Sequence, residues 1–139
     1  TQAESSAASD VYKRQEDVLN SEAVAEADVI ILDSASALMP DNLDEHQRFD
    51  MMQKLRKITS EGRSVMLCVD PEEMNHKLLH NMRASAEVVL DLSTALIGGD
   101  LKRSIVVTRF LRAAGPVQTS VGWRVEPSMG FIVDITAVS

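Results

Sequence analysis

Two apolar runs, each closed by an acid, organise the chain. Val29-Ile30-Ile31-Leu32 leads into Asp33-Ser34, and Val65-Met66-Leu67-Cys68-Val69 leads into Asp70-Pro71. Short unbroken runs of this kind read as strands buried on both faces. Between them the pattern turns helical. Phe49, Met52, Leu55 and Ile58 form an apolar stripe on a helix predicted from about Leu43 to Ser60. Pro40-Asp41-Asn42 marks the loop before it, Asp41 or Asn42 supplies the cap, and Glu61-Gly62 supplies the stop. Strand, helix, strand in this order predicts a βαβ unit with parallel strands, placing Asp33 and Asp70 on one edge of the sheet. A short amphipathic helix over 16–27 precedes the unit, with Val18, Leu19, Ala23, Val24 and Ala27 as its apolar positions. After it, Pro71-Glu72-Glu73 suits the first turn of another helix, with Met74, Leu78, Leu79 and Met82 facing inward.

From residue 87 the pattern changes. Glu87 to Leu92, Arg103 to Arg112, Ser120 to Val125 and Gly130 to Ile135 read as strands. They are joined by turns at Gly98-Gly99-Asp100, Ala114-Gly115-Pro116 and Glu126-Pro127-Ser128-Met129-Gly130. The predicted class is therefore α/β: parallel strands with helices, followed by a C-terminal antiparallel meander. Strand alternation puts Arg109 with Leu111 on one face, and Phe110 with Arg112 on the other. Trp123 and Arg124 of the next strand are expected to pack across from the two arginines.

With 139 residues the chain can build one core. A net charge of −7 argues against a broad nucleic-acid surface, which needs clustered Lys and Arg. No apolar run approaches the roughly 18 residues of a membrane span. Cys68 lies inside an apolar run and reads as a small buried hydrophobe. His76 and His80 share a helix face but have no third ligand in reach of a metal. Thr1 to Gln15 is expected to be a non-native or disordered tail, leaving 16–139 as the folded part. It opens without Met, and one back-translation of Asp10-Val11-Tyr12-Lys13-Arg14-Gln15 resembles a sequencing-library adapter end.

Asp33 carries the candidate chemistry. In open α/β sheets ligands sit at the carboxyl ends of the strands. Mg²⁺ takes one or two carboxylates together with phosphate oxygens and water. Four apolar residues and an acid have the form of a Walker B segment, the metal arm of a P-loop nucleotide site. The same pattern also suits a strand whose final Asp caps a turn.

Four stretches narrow the choice: Asp28 to Ser36, Glu61 to Pro71, the basic strand Val106-Val107-Thr108-Arg109-Phe110-Leu111-Arg112, and Val125-Glu126-Pro127-Ser128-Met129-Gly130-Phe131. In this order they resemble the archaellum accessory ATPase family (FlaH/ArlH) of the RecA/KaiC-like superfamily. The last stretch resembles that family's Val-Glu-Pro-Gly-x-Gly turn. The resemblance covers 16–139 and corresponds to the C-terminal half or so of a RecA-like three-layer domain. It departs from the family in having Asp70 where His often precedes the proline, and Ser128 where Gly is usual. The Walker A loop would lie upstream of residue 1, so this stretch by itself is expected to be inactive and to leave sheet edges open.

The resemblance implies ATP and Mg²⁺ as ligands. Asp33 would hold Mg²⁺ through water, Ser34 would bond its water shell, and Asp70 would sense the nucleotide state. Arg109 would reach the γ-phosphate bound by a neighbouring subunit of a homo-oligomeric ring. The implied partners are the hexameric motor ATPase of the archaellum and its ring scaffold protein, at the cytoplasmic face of a membrane complex, with no nucleic acid. Two alternatives stay open: another KaiC-like or RecA-like ATPase, and a non-catalytic scaffold of the same fold.

Overall fold

The structure, a computed structural model, describes residues 17–39 and 44–134. The N-terminal tail, the Pro40-Asp41-Asn42 loop and Ile135 lie outside the described residues. The chain divides into two compact units, Thr1–Ala84 and Ser85–Ser139.

In the first unit Ser21 caps α1 (Glu22–Glu26), its hydroxyl accepting the Val24 N–H. Then follow β1 (Val29–Leu32), α2 (Ala35–Leu38), α3 (Glu45–Ser60), β2 (Ser64–Leu67) and α4 (His76–Ser85). β1 and β2 pair in parallel, Ile30 opposite Val65 and Leu32 opposite Leu67. The predicted βαβ unit is thus present. Its strands are not buried on both faces, however. Ile30 and Leu32 are buried, whereas Val29, Ile31 and Met66 are each more than half exposed. Among the described residues helical side chains cover one face only. Met51, Leu55 and Ile58 of α3, with Leu78 and Met82 of α4, join Ile30, Leu32, Ala35, Met39 and Met74 in a single core.

Helix α3 is capped later than the sequence suggested, by Asp44 instead of Asp41 or Asn42. Asp44 accepts the Gln47 N–H at 2.8 Å, and the Gln47 side chain accepts the Asp44 N–H at 3.0 Å. This reciprocal box satisfies two backbone donors at the helix start. Asp44→Ala is expected to destabilise the protein by about 1 kcal/mol, read as a lower denaturant midpoint at unchanged slope. Phe49, assigned to the apolar stripe, is 58% exposed, and Met51 takes the core position instead. Gly62 follows the helix at φ +83°, the left-handed conformation that ends helices and that a side chain disfavours.

Pro71-Glu72-Glu73 does not open α4. Asp70 ties these residues into a turn, and Asn75 caps the helix, its Oδ1 accepting from Lys77 N–H at 3.0 Å and Leu78 N–H at 3.3 Å. Met74, Leu78 and Met82 are buried as predicted, and Leu79 packs beside them. His76 and His80 are both exposed.

The second unit is a meander of β3 (Val88–Ile97), β4 (Asp100–Phe110), β5 (Ser120–Glu126) and β6 (Gly130–Asp134). β3 and β4 run longer than predicted because Ile97 pairs with Asp100 across a two-residue turn. Gly98 and Gly99 both have positive φ there, as a tight hairpin turn of this hand requires. Ser128 has no positive φ, while Gly130 does, so serine fits the turn where the family usually has glycine.

Trp123 does not lie across from Arg109. The β4–β5 register places it opposite Arg103, whose guanidinium stands 5.7 Å from the centre of the indole. Arg124 pairs with Glu126 and Asp134. Arg112 falls beyond β4, in a left-handed conformation, and pairs with Glu87.

Candidate functional site

The site is built at the carboxyl ends of β1 and β2. Two further bonds continue the parallel ladder past the strands: Cys68 N–H donates to the Leu32 carbonyl at 3.0 Å, and Ala35 N–H donates to the Cys68 carbonyl at 2.8 Å. The Asp33-Ser34 peptide, which is cis, lies between these two anchors. Ala35 and Met39, the residues on either side of this loop's descent into α2, are completely buried. The chain is therefore fixed from behind while Asp33 remains exposed at the strand end. Ser34 is half-buried, and its hydroxyl oxygen is shielded from solvent without a hydrogen-bond partner among the described residues. An unpaired hydroxyl of this kind is costly unless a ligand or water completes it.

Asp70 is on the same edge, three residues past the end of β2. Its carboxylate accepts the Glu72 N–H at 2.9 Å, and its carbonyl accepts the Glu73 N–H at 3.2 Å. One carboxylate oxygen is thus committed to the local turn. Ser36, in α2, carries no role in the sequence reading, yet it ties the ends of the two strands together. Its hydroxyl accepts the Asp70 N–H at 2.7 Å. A lone serine facing an apolar core was the available signal: Ser36 sits between Ala35 and Ala37 in a helix whose neighbours are small or apolar.

The donor set at this edge suits a hard cation that brings its own ligands. No group of three His, Cys, Asp or Glu side chains among the described residues can enclose a metal. Mg²⁺ does not need such a cage, since it is commonly held by one or two carboxylates with phosphate oxygens and water. An exposed Asp33 beside an unsatisfied Ser34 hydroxyl fits that arrangement.

Arg109 belongs to the second unit, on β4 opposite Val89. The β3–β4 register shifts between Val89 and Leu90, an irregularity of the sort that re-aims side chains. Its Nε is buried and has no hydrogen-bond partner among the described residues.

No protein-family model matches the chain. Curated proteins do. The chain is 31% identical over 121 residues, 87% of its length, to the archaeal flagellar ATP-binding protein FlaH of Methanococcus voltae. It is 33% identical over 122 residues, 88% of its length, to the protein of the same name from Methanocaldococcus jannaschii. These FlaH proteins are homologues of the chain over that span. The crystal structure of the flagellar accessory protein FlaH from M. jannaschii superposes on 88% of it with a TM-score of 0.78 at 32% identity. A KaiC-like protein from Pyrococcus horikoshii matches 89% of it with a TM-score of 0.62 at 15% identity, a likeness of fold alone. The fold is therefore RecA/KaiC-like, as the order of strands implied. The chain spans about half the length of its FlaH relatives, 53% and 52% of the two named above.

Proposed function

We propose that this chain contributes the metal-side half of an ATP site in an archaellum-associated regulatory protein. The observation that carries this reading is the β1 terminus, where an exposed Asp33 follows a firmly anchored strand and adjoins the unpaired Ser34 hydroxyl. The FlaH relatives are named as ATP-binding proteins, which supports ATP as the ligand. Asp33 would hold Mg²⁺ through water and Ser34 would complete the water shell; the ion would supply positive charge against the phosphate oxygens. Asp70, with one oxygen in its turn, reports whether the nucleotide is present. Arg109 is offered to the nucleotide of a neighbouring copy in a ring. Nucleotide occupancy sets the contact with the hexameric motor ATPase and its ring scaffold, at the cytoplasmic face of the membrane complex. No helix among the described residues is long and apolar enough to cross a membrane. No nucleic acid enters this reading.

The test is calorimetric titration of ATP into the protein expressed from its complete genomic reading frame, with Mg²⁺ and again with EDTA. Binding that depends on Mg²⁺ is expected. Heats that are absent in both titrations, or equal in both, would sink the proposal.

A further inference from the structure

Among the described residues of the first unit, Ser36 is the buried polar side chain, 4% exposed within an otherwise apolar core. It lies three residues beyond Asp33 in sequence and 34 residues from Asp70, yet its hydroxyl meets the Asp70 backbone twice. It accepts the Asp70 N–H at 2.7 Å and stands 3.4 Å from the Asp70 carbonyl, to which it donates. Water cannot easily replace these bonds, because Ser36 is itself buried in the core that Ala35 and Met39 share. We propose that Ser36 is a positioning residue that couples the Asp33 segment to the Asp70 turn, so that occupancy at Asp33 is conveyed to the backbone leading into α4.

The coupling follows from what each end can do. The loop from Asp33 to Ser36 is short, so a ligand that draws on Asp33 and Ser34 bears on Ser36 through two peptide units. Ser36 is bonded to backbone atoms, which cannot rotate away as a side chain can. Asp70 in turn organises the next three residues by accepting the Glu72 and Glu73 N–H groups. Met74 follows that turn, 3% exposed and seated in the core beside α4. A displacement at Ser36 is therefore delivered to a packed element, as a two-state coupling between sites requires. A second independent fact agrees: Asp70 is exposed, so apart from its own turn, Ser36 is what orders its backbone. The inference rests on the nucleotide reading of Asp33.

Amide hydrogen exchange on the complete protein, with and without ATP and Mg²⁺, tests it. In the wild type, nucleotide is expected to slow exchange at 33–36 and also at 70–73. Ser36→Ala should retain the first response and lose the second, with ATP affinity within about threefold of wild type. Ser36→Cys keeps nearly the same volume with a much weaker hydrogen bond, so it should lose the same response where the alanine variant folds poorly. Ser36→Thr retains the hydroxyl and should retain the response. Without nucleotide, Ser36→Cys should already speed exchange at the Asp70 amide on the order of tenfold. A nucleotide response at 70–73 that survives Ser36→Cys overturns the coupling. So does a wild-type response confined to 33–36. An absence of any ATP-dependent change in the wild type overturns the nucleotide reading itself, and the coupling with it.

Discussion

Asp33→Ala is expected to weaken Mg²⁺-dependent ATP binding on the order of 100-fold, about 2.7 kcal/mol, and to leave folding nearly intact. The two halves of this expectation have separate physical grounds. The carboxylate is exposed and is not part of the core, which is made by Ile30, Leu32, Ala35 and Met39 on either side of it. Exposed substitutions of this kind usually change stability by no more than about 0.5 kcal/mol. The binding term is large because the carboxylate supplies negative charge beside the water shell of a hard cation that also faces phosphate oxygens. Asp33→Asn should behave almost like alanine, since it keeps the shape and removes the charge. Removing Mg²⁺ from the wild type should bring its affinity down to that of the variants, and the variants should respond little to EDTA. If Asp33→Ala binds ATP as tightly as the wild type in Mg²⁺, the acid at the end of β1 is only a turn residue. Calorimetry with a thermal melt of each variant separates the two effects.

The βαβ unit and the meander were legible because they rest on strong periodic signals. Unbroken apolar runs gave β1 and β2, and clusters of Gly, Pro and Ser gave the turns between β3 and β6. The errors fall where the local pattern was outweighed. Val29-Ile30-Ile31-Leu32 is apolar throughout, so sequence could not say that among the described residues only Ile30 and Leu32 are covered. Phe49 matched the helical stripe as well as Met51 did, but the phase of α3 follows the cap at Asp44, and that turned Phe49 outward. Pro71-Glu72-Glu73 has the residue types of a helix start. The Asp70 carboxylate and the Asn75 cap claimed the same backbone donors first. The Gly98-Gly99 turn was read correctly, but the strand ends flanking it were missed because Thr94 to Lys102 is mixed and largely exposed, and there cross-strand pairing decides, not burial. At the site, Asp33, Ser34 and Asp70 could be placed on one edge from the order of elements alone. Ser36 could not, because its partner is a backbone amide 34 residues away.

Arg109→Ala is expected to lower single-turnover ATP hydrolysis by the complete protein on the order of 1000-fold, about 4 kcal/mol, while ATP affinity changes little. Arg109 Nε is shielded from solvent on β4 and has no hydrogen-bond partner among the described residues. Arg112 and Arg124, by contrast, are both paired with acids of their own unit. A guanidinium contributes most where charge develops on transferring phosphate oxygens, so its loss should appear in turnover and not in ground-state affinity. Arg109→Lys should not restore the rate, because an ammonium cannot reproduce the planar fork. A mixing experiment then asks which subunit the arginine serves. Asp33→Ala and Arg109→Ala should each be inactive alone. If the arginine acts on the neighbouring copy, mixed rings contain junctions where an intact Asp33 faces an intact Arg109. Random mixing in equal amounts makes about a quarter of the junctions competent, and activity should return to about that fraction. Recovery would support both the ring and the direction of the arginine. Loss of activity in Arg109→Ala without recovery on mixing places the arginine in its own subunit's site. Unchanged turnover in Arg109→Ala reduces it to a sheet cation with no part in the chemistry.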